Sequence, residues 1–449
     1  MSESGSGVFP DGFTWGVATS SYQIEGAVRE GGRGESIWDR FSHTPGRVAN
    51  GETGDIACDH YHRYREDVQL MRELNVGAYR FSVAWPRILP TGTGAVNEAG
   101  LDFYERLVEE VLEAGLDPYL TLYHWDLPQV LDDGGGWLNR RTVDAFENYT
   151  DVLTRRLGDR VRNWITINEP WVVAFLGYGI GIHAPGHRSM TEALQVAHHV
   201  LLAHGQAMPV IRSNVRDARA GITLNLNHSY AMDPDREADQ QAAYNTDIVA
   251  NRWFLDPVFG KGYPDELRGI LGADEPTILD GDLASIAAPT DFLGINFYMP
   301  GYASATRQSA LGEILHPDPN VERTAMGWPV EPRALTDLLR RVSSEYGPEA
   351  IYITENGAAF DGDRVLSGRV SDPRRTAYFE GHLGAVSDAI AAGSPVQGYF
   401  AWSMLDNFEW AEGYNKRFGI VYTDFATQER TIKDSGRYFA QVAETNRLR

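Results

Sequence analysis

Two segments of the 449-residue chain end runs of strand-forming residues on a carboxylate. In Ile351-Tyr352-Ile353-Thr354-Glu355-Asn356-Gly357, apolar and β-branched residues lead into Glu355, and the Asn-Gly dipeptide favours a turn that closes the strand. In Trp164-Ile165-Thr166-Ile167-Asn168-Glu169-Pro170, Pro170 donates no ladder hydrogen bond and biases Glu169 towards an extended backbone, so this strand also finishes on its acid. Two glutamates on two strand tips supply what glycoside hydrolysis requires. One carboxyl protonates the departing oxygen, and the other attacks the sugar or activates water. A single Glu after a strand is as readily a solvated loop residue; the pair is what points to this chemistry.

Such tips form one site only if the strands share a sheet and a direction. Strand-like segments at 14–22, 79–85, 117–124, 163–169, 219–226, 291–298, 351–355 and 396–405 alternate with helix-like ones. The helical segments are 59–74, 141–157, 191–212, 333–346, 372–392 and 434–445, together with an apolar stripe of Leu101, Tyr104, Leu107, Val108, Val111 and Leu112 that Gly115 closes. Eight alternations without a low-complexity linker or short repeat predict an α/β fold: a single (β/α)8 TIM barrel over residues 1–449, with long βα-loop insertions and a flexible tail at 1–8. Polar residues gather where the strands end, at Gln23, Arg80, His124, Trp125, Asn168, Glu169, Asn296, Tyr298, Glu355 and Trp402. That is the face on which such barrels build active sites. A stretch of low periodicity, 299–330, carries Trp328 and has the length of a functional loop.

Composition narrows the partners. Forty Lys and Arg against 62 Asp and Glu leave a formal charge of −22, which repels phosphate backbones and anionic membranes. No apolar run reaches the roughly 18 residues that a membrane helix needs, and the first residues lack a basic or apolar leader, so a cytoplasmic protein with neither nucleic acid nor membrane as partner is expected. Cys58, the single cysteine, excludes an intrachain disulfide. The 11 Trp, 21 Tyr and 18 Phe suit a site that stacks on sugar C–H faces, although core packing must employ most of them. Cys58-Asp59-His60-Tyr61-His62 has metal-ligand residue types without a partner segment, and the glycine clusters at 31–34 and 134–136 lack phosphate-cradle spacing. No metal or cofactor is expected, and no Gly-x-Ser-x-Gly elbow supports a serine hydrolase.

The motifs resemble those of glycoside hydrolase family 1, the β-glucosidase family. The likeness rests on Thr354-Glu355-Asn356-Gly357 and Asn168-Glu169-Pro170. It also takes in Ser21-Tyr22-Gln23-Ile24-Glu25-Gly26, Tyr79-Arg80-Phe81-Ser82, Tyr123-His124-Trp125-Asp126-Leu127-Pro128 and Trp402-Ser403-Met404-Leu405-Asp406-Asn407-Phe408-Glu409-Trp410. The resemblance covers nearly the whole chain. It implies a (β/α)8 barrel that hydrolyses β-glycosides with retention, Glu355 as nucleophile and Glu169 as acid/base. Arg80 and Tyr298 would keep Glu355 ionised, and Asn296 would support the nucleophile's surroundings. Glu169 needs an apolar setting or the field of Glu355 to hold a proton at neutral pH.

By the same likeness, Gln23, His124, Trp125, Asn168, Glu409 and Trp410 would hold the hydroxyls of the terminal sugar, with Asn168 at the 2-hydroxyl. Trp402 would lie beneath the ring, and Trp328 would wall the aglycone side. Relatives that cleave 6-phosphoglycosides resemble this chain but have a serine in place of Glu409, followed by Lys and Tyr. Here Glu409, Lys416 and Phe418 imply unphosphorylated substrates, since a carboxylate repels a phosphate dianion. The partner implied is a small-molecule β-glucoside or short oligosaccharide, β-galactosides and β-fucosides included, with a homo-oligomer left open. Net transglycosylation and a sugar-binding protein without catalysis are the alternatives.

Overall fold

The computed structural model describes residues 7–306 and 314–448. Eight strands form its centre: β1 (Thr14–Ala18), β2 (Ala78–Ser82), β3 (Asp117–Tyr123), β4 (Asn163–Asn168), β5 (Arg219–Asn225), β6 (Phe292–Asn296), β7 (Ile351–Asn356) and β8 (Val396–Trp402). Each pairs in parallel with its neighbours, and β8 returns to β1, so the sheet closes into a barrel. Parallel neighbours need long crossovers. These are built around helices, among them His60–Glu73, Glu98–Glu113, Arg141–Leu157, Met190–Asn214, Arg333–Tyr346 and Pro373–Ala391, and Asp434–Thr445 follows β8. The predicted (β/α)8 architecture is therefore the observed one.

Helical periodicity explains the outer shell. In Glu98–Glu113, Leu101, Tyr104, Leu107, Val108 and Val111 are buried at helical spacing, while Leu112 falls off the stripe and is 37% exposed. Gly115 follows the helix with φ +79°, the left-handed conformation that glycine takes at a helix end without a Cβ penalty. Inside the barrel, Tyr119, Ile165, Phe292, Tyr352 and Phe400 pack as a side-chain plug, so the lumen is filled.

Three expectations need correction. The first strand stops at Ala18, and Ser21–Ile24 is a helical turn whose Ser21 amide donates to Ser82 Oγ at 2.8 Å. Likewise β2 ends at Ser82, with Trp85–Ile88 helical, and β8 ends at Trp402. Past the rim these residues leave the barrel ladder, and Leu405 bridges Val421 outside it instead. They are buried in loops, and burial is what their β-propensity registers. Second, Gly7 and Val8 are not a free tail: Val8 bridges Arg447, and Leu448 N donates to Gly7 O at 2.7 Å. Residues 1–6 lie outside the described residues. Third, part of the stretch 299–330 is ordered, because Gly301–Ala303 pairs in parallel with Ser229–Ala231. Its residues 307–313 also lie outside the described set. Among the described residues, no helix is long and apolar enough to cross a membrane.

The Asn-Gly pair after Glu355 is not a turn. Strand β7 continues through Asn356, whose Nδ2 donates to Phe297 O at 2.6 Å and to Tyr378 Oη at 2.9 Å, while its Oδ1 accepts from Tyr399 Oη at 2.6 Å. Gly357 has to be glycine because a Cβ there would collide with the carbonyl oxygen of Trp402 on β8. A Gly357→Ala variant should therefore lose about 1–3 kcal/mol of stability, as a backbone overpacking cost, and should unfold at lower denaturant. Unfolding at the parent midpoint would show that the two strands do not approach so closely.

Candidate active site

Strands β4 and β7, separated in the sheet by β5 and β6, place the two glutamates at one end of the barrel, and both are buried. Glu355 is the penultimate residue of β7. Its Oε1 accepts from Arg80 Nη1 at 2.6 Å and its Oε2 from Tyr298 Oη at 2.6 Å. Arg80, on β2, is fully buried and also donates to Asn168 Oδ1 at 2.6 Å and to Thr354 O at 2.9 Å.

Glu169 follows β4 directly, but its backbone is left-handed, with φ +51°, where the proline after it led us to expect an extended residue. The Glu169 amide is held by Thr223 O on β5 at 2.9 Å, and Pro170 opens a helical segment that continues through Val172–Gly179, so the chain must turn within this one residue. Trp125 and Trp410 also have positive φ, at 78° and 49°. Non-glycine residues in this region cost on the order of 1–3 kcal/mol each and persist where the surroundings over-determine them.

Asn296, at the end of β6, donates from Nδ2 to Glu169 Oε1 at 2.6 Å and to Asn168 Oδ1 at 3.1 Å. The resemblance assigns this amide to the nucleophile's surroundings; it does act on Glu355 to favour its ionised form, and its short bond goes to the other glutamate. Thr354 Oγ1 donates to Asn296 Oδ1 at 2.8 Å and so fixes the amide's orientation. Thr354 was not among the expected site residues, although its position beside Glu355 could have singled it out.

An aromatic and polar wall stands beside the pair. The His124 and Trp402 rings stack with centroids 5.9 Å apart, and Trp125 lies 4.6 Å from Trp410. Gln23 Nε2 donates to Glu409 Oε2 at 3.3 Å, to Asn407 Oδ1 at 3.0 Å and to Phe408 O at 2.9 Å, while Ser20 Oγ secures its other end at 2.6 Å. Trp328 packs against Tyr298 at 5.2 Å. His124, Trp125, Glu169, Asn296, Tyr298, Trp328, Glu355, Trp402, Glu409 and Trp410 line one cavity of ≈ 370 Å³. Arg80, Asn168 and Gln23 stand behind its walls, each hydrogen-bonded to a lining residue. Every expected site residue is thus in the cavity wall or bonded to it. Trp171, Val172, Leu176 and His183 also line it, from the segment after Glu169, where one apolar run gave no sign of which side faces the cavity.

The family model for Glycosyl hydrolase family 1 matches residues 5–448. The chain belongs to this family. It is 47% identical over 441 residues to "Beta-glucosidase A" of Thermotoga maritima, covering 98% of each chain. It is 44% identical to the "Bifunctional beta-D-glucosidase/beta-D-fucosidase" of Bifidobacterium breve, covering 95% of this chain and 96% of that one. The solved structure "Beta-glucosidase from Thermotoga maritima in complex with glucoimidazole" superposes with a TM-score of 0.95 at 47% identity, covering 98% of this chain and 100% of that one.

The electrostatics of this family 1 site separate the two acids. Burial, followed by the charge of Glu355, pushes Glu169 up to about 8, against the pull of Asn296 and Arg80. Burial also raises Glu355, but Arg80, Tyr298 and Asn296 all act the other way. The pair titrates together, and its shared proton belongs on Glu169 because the guanidinium sits on Glu355. Burial and neighbouring carboxylates hold the Tyr298 hydroxyl well above its usual value, so it remains a donor. Burial and Arg80 keep His124 neutral, well below the ordinary imidazole range. Glu409 is raised to about 8 by burial and by Glu355, with Gln23 opposing.

Among the described residues, no group of three or more His, Cys, Asp or Glu could hold a metal ion. The Cys58–His62 motif is employed elsewhere: His60 Nδ1 pairs with Asp67 at 2.8 Å, and Cys58 Sγ donates to Asp406 O at 3.1 Å.

Two outcomes follow for pH–rate profiles of kcat/KM. With Glu169 as the proton donor, the role proposed below, activity should fall as pH rises through about 8. A Tyr298→Phe variant removes a donor from ionised Glu355, so that carboxylate binds its proton more tightly. Its acid limb should move to higher pH, with a loss of about 10–100-fold at the optimum. An unmoved acid limb would separate Tyr298 from the nucleophile.

Proposed function

We propose that the protein is a retaining, exo-acting β-glucosidase that releases terminal β-D-glucosyl residues from cello-oligosaccharides or from aryl and alkyl β-glucosides. The observation that carries this reading is the unequal treatment of two buried glutamates: Arg80 and Tyr298 clamp Glu355 as a carboxylate, while Glu169 has only a neutral amide and its neighbour's negative field. Glu355 attacks the anomeric carbon as Glu169 gives its proton to the departing oxygen, and a glycosyl ester of Glu355 forms. Ester formation removes the Glu355 charge and one cause of the raised Glu169 pKa. Glu169 then accepts a proton from water attacking the ester, and the β-configuration is restored.

Exo action is supported by Glu409, Trp410 and Trp402, which line one cavity with Gln23 bonded behind Glu409 and can hold one terminal sugar. Acceptance of β-fucosides is supported by the name of the Bifidobacterium relative, and β-galactosides are included by the same latitude at the sugar's rim. Unphosphorylated sugars are favoured because Glu409 offers a phosphate no cation. The Lys416 amine, which a phosphate would need, is bound to Ala325 O at 2.8 Å. Net transglycosylation would use the same ester. A binding protein without catalysis is disfavoured by the Arg80 clamp, which binding alone does not need. The buried free thiol of Cys58 suits a reducing compartment, in keeping with a cytoplasmic enzyme.

A Glu355→Ala variant should lose hydrolysis and, given azide, release the inverted α-glycosyl azide; retained hydrolysis would remove Glu355 from its role. Glu169→Ala should cost about 10²–10⁴-fold on cellobiose, where the departing alkoxide needs a proton, and far less on an aryl glucoside with a good leaving group. Faster turnover of a 6-phospho-β-glucoside than of the plain glucoside would refute the reading of Glu409.

A further inference from the structure

Two fully buried threonines adjoin the glutamates. Thr354 precedes Glu355 on β7, and Thr223 on β5 accepts the Glu169 amide through its carbonyl oxygen at 2.9 Å. Strand β6 runs between them, and opposite Thr223 in the ladder it carries Gly294. A Cβ on Gly294 would collide with Thr223 Oγ1 and press on Thr354, so glycine is what lets the two hydroxyls meet across the strand. Thr223 Oγ1 donates to Thr354 Oγ1 at 3.2 Å, and Thr354 Oγ1 donates onward to Asn296 Oδ1 at 2.8 Å. Valine has the same shape, is among the branched residues that usually fill a barrel interior, and would bury no hydroxyl. Two linked hydroxyls in this layer therefore point to a task beyond packing.

The direction of these bonds decides how the amide faces the acids. Thr223 fills the acceptor side of the Thr354 hydroxyl, so the Thr354 proton turns to Asn296 Oδ1 and Asn296 Nδ2 turns to Glu169 Oε1 at 2.6 Å and Asn168 Oδ1 at 3.1 Å. A carboxyl oxygen that accepts an N–H leaves the acid's proton to its other oxygen, here Oε2. The same amide favours the ionised form of both glutamates. Without the Thr354 hydroxyl, Oδ1 would be a buried acceptor lacking its donor, and the amide would relieve this by rotating towards the cavity that it lines, withdrawing Nδ2 from the acids. Arg80, Tyr298, His124, His183, Glu409 and Glu412 are the other titratable groups in the cavity wall or bonded to it. Of these, Arg80 bonds Thr354, and it does so through the backbone oxygen, so a change of side chain leaves that bond in place.

Resting on the roles proposed above for Glu169 and Glu355, we propose that Thr354, backed by Thr223, is a positioning residue: its hydroxyl keeps Asn296 Nδ2 turned to the two carboxyls and so leaves the Glu169 proton on the oxygen that serves the departing group. A Thr354→Val variant preserves the shape and deletes the hydroxyl. Both limbs of its pH profile of kcat/KM on phenyl β-D-glucoside should move up by about half a pH unit, since each carboxylate loses a donor and binds its proton more tightly, and activity at the optimum should fall about tenfold. Thr354→Ser keeps the hydroxyl and should keep the parent profile. Thr354→Ala makes no steric demand, should shift the limbs in the same sense, and carries the test if the valine variant does not fold. In an Asn296→Ala background no amide is left to orient, and Thr354→Val should move neither limb further. Unmoved limbs on deletion of the hydroxyl, or an equal shift with and without Asn296, would overturn the proposal and leave the β-glucosidase reading standing. No turnover of phenyl β-D-glucoside by the parent enzyme would overturn both.

Discussion

The site depends on a single buried cation. Arg80 is withdrawn from water at the centre of the barrel, where an unpaired guanidinium would cost several kcal/mol, and every bond it makes reaches another strand: Glu355 and Thr354 on β7, Asn168 on β4. These bonds orient Glu355 and tie together strands far apart in sequence. They also set the charge balance of the cavity. Two buried glutamates, Glu169 and Glu355, and the half-buried Glu409 face one arginine. Only the one that the arginine touches can remain ionised without strong opposition, so protons accumulate on the other two, both raised to about 8. Burial, reinforced by the same charge, keeps His124 neutral. Glu169 and Glu355 therefore differ through their distance from one guanidinium and not through their residue type.

Beyond that centre, other buried ion pairs hold the loops that carry the aromatic wall. Asp406, just ahead of Asn407–Trp410, accepts from Lys433 at 2.7 Å and from Arg417 at 2.7 Å. Lys433 also reaches Asp363 at 2.6 Å, and Arg375 joins Asp363 at 2.9 Å to Asp372 at 2.5 Å. Buried pairs of this kind contribute little net stability compared with apolar packing, but breaking one leaves an uncompensated charge. Their effect is to leave the β8 loop a single arrangement. On the opposite side, Ser21 Oγ donates to Asp126 at 2.6 Å and joins the turn bearing Gln23 to the segment bearing His124 and Trp125. Such over-determination is what the left-handed backbones of Trp125, Glu169 and Trp410 require, since each would relax if its neighbours allowed it.

The sequence by itself determined the architecture and the cast of residues. Regular alternation of strand and helix periods leaves few packings other than a closed parallel barrel, and carboxylates placed after strand-forming runs must then meet at its rim. Helices such as Arg141–Leu157 and Arg333–Tyr346 were legible to the residue because apolar spacing is a local property. Family likeness, and not spacing, supplied the roles of Gln23, Glu409 and Trp402. Tertiary structure decided what depends on neighbours distant in the chain. It ended β1, β2 and β8 where pairing partners ran out, and it turned Glu169 left-handed through Thr223 on β5. It made Gly357 a matter of clearance from Trp402 instead of a turn, and it gave the Asn296 amide to Glu169. It also settled which face of the segment after Glu169 lines the cavity. Hydrogen-bond geometry and desolvation act between side chains that the chain brings together only by folding, so a linear pattern can nominate those residues but cannot distribute protons among them.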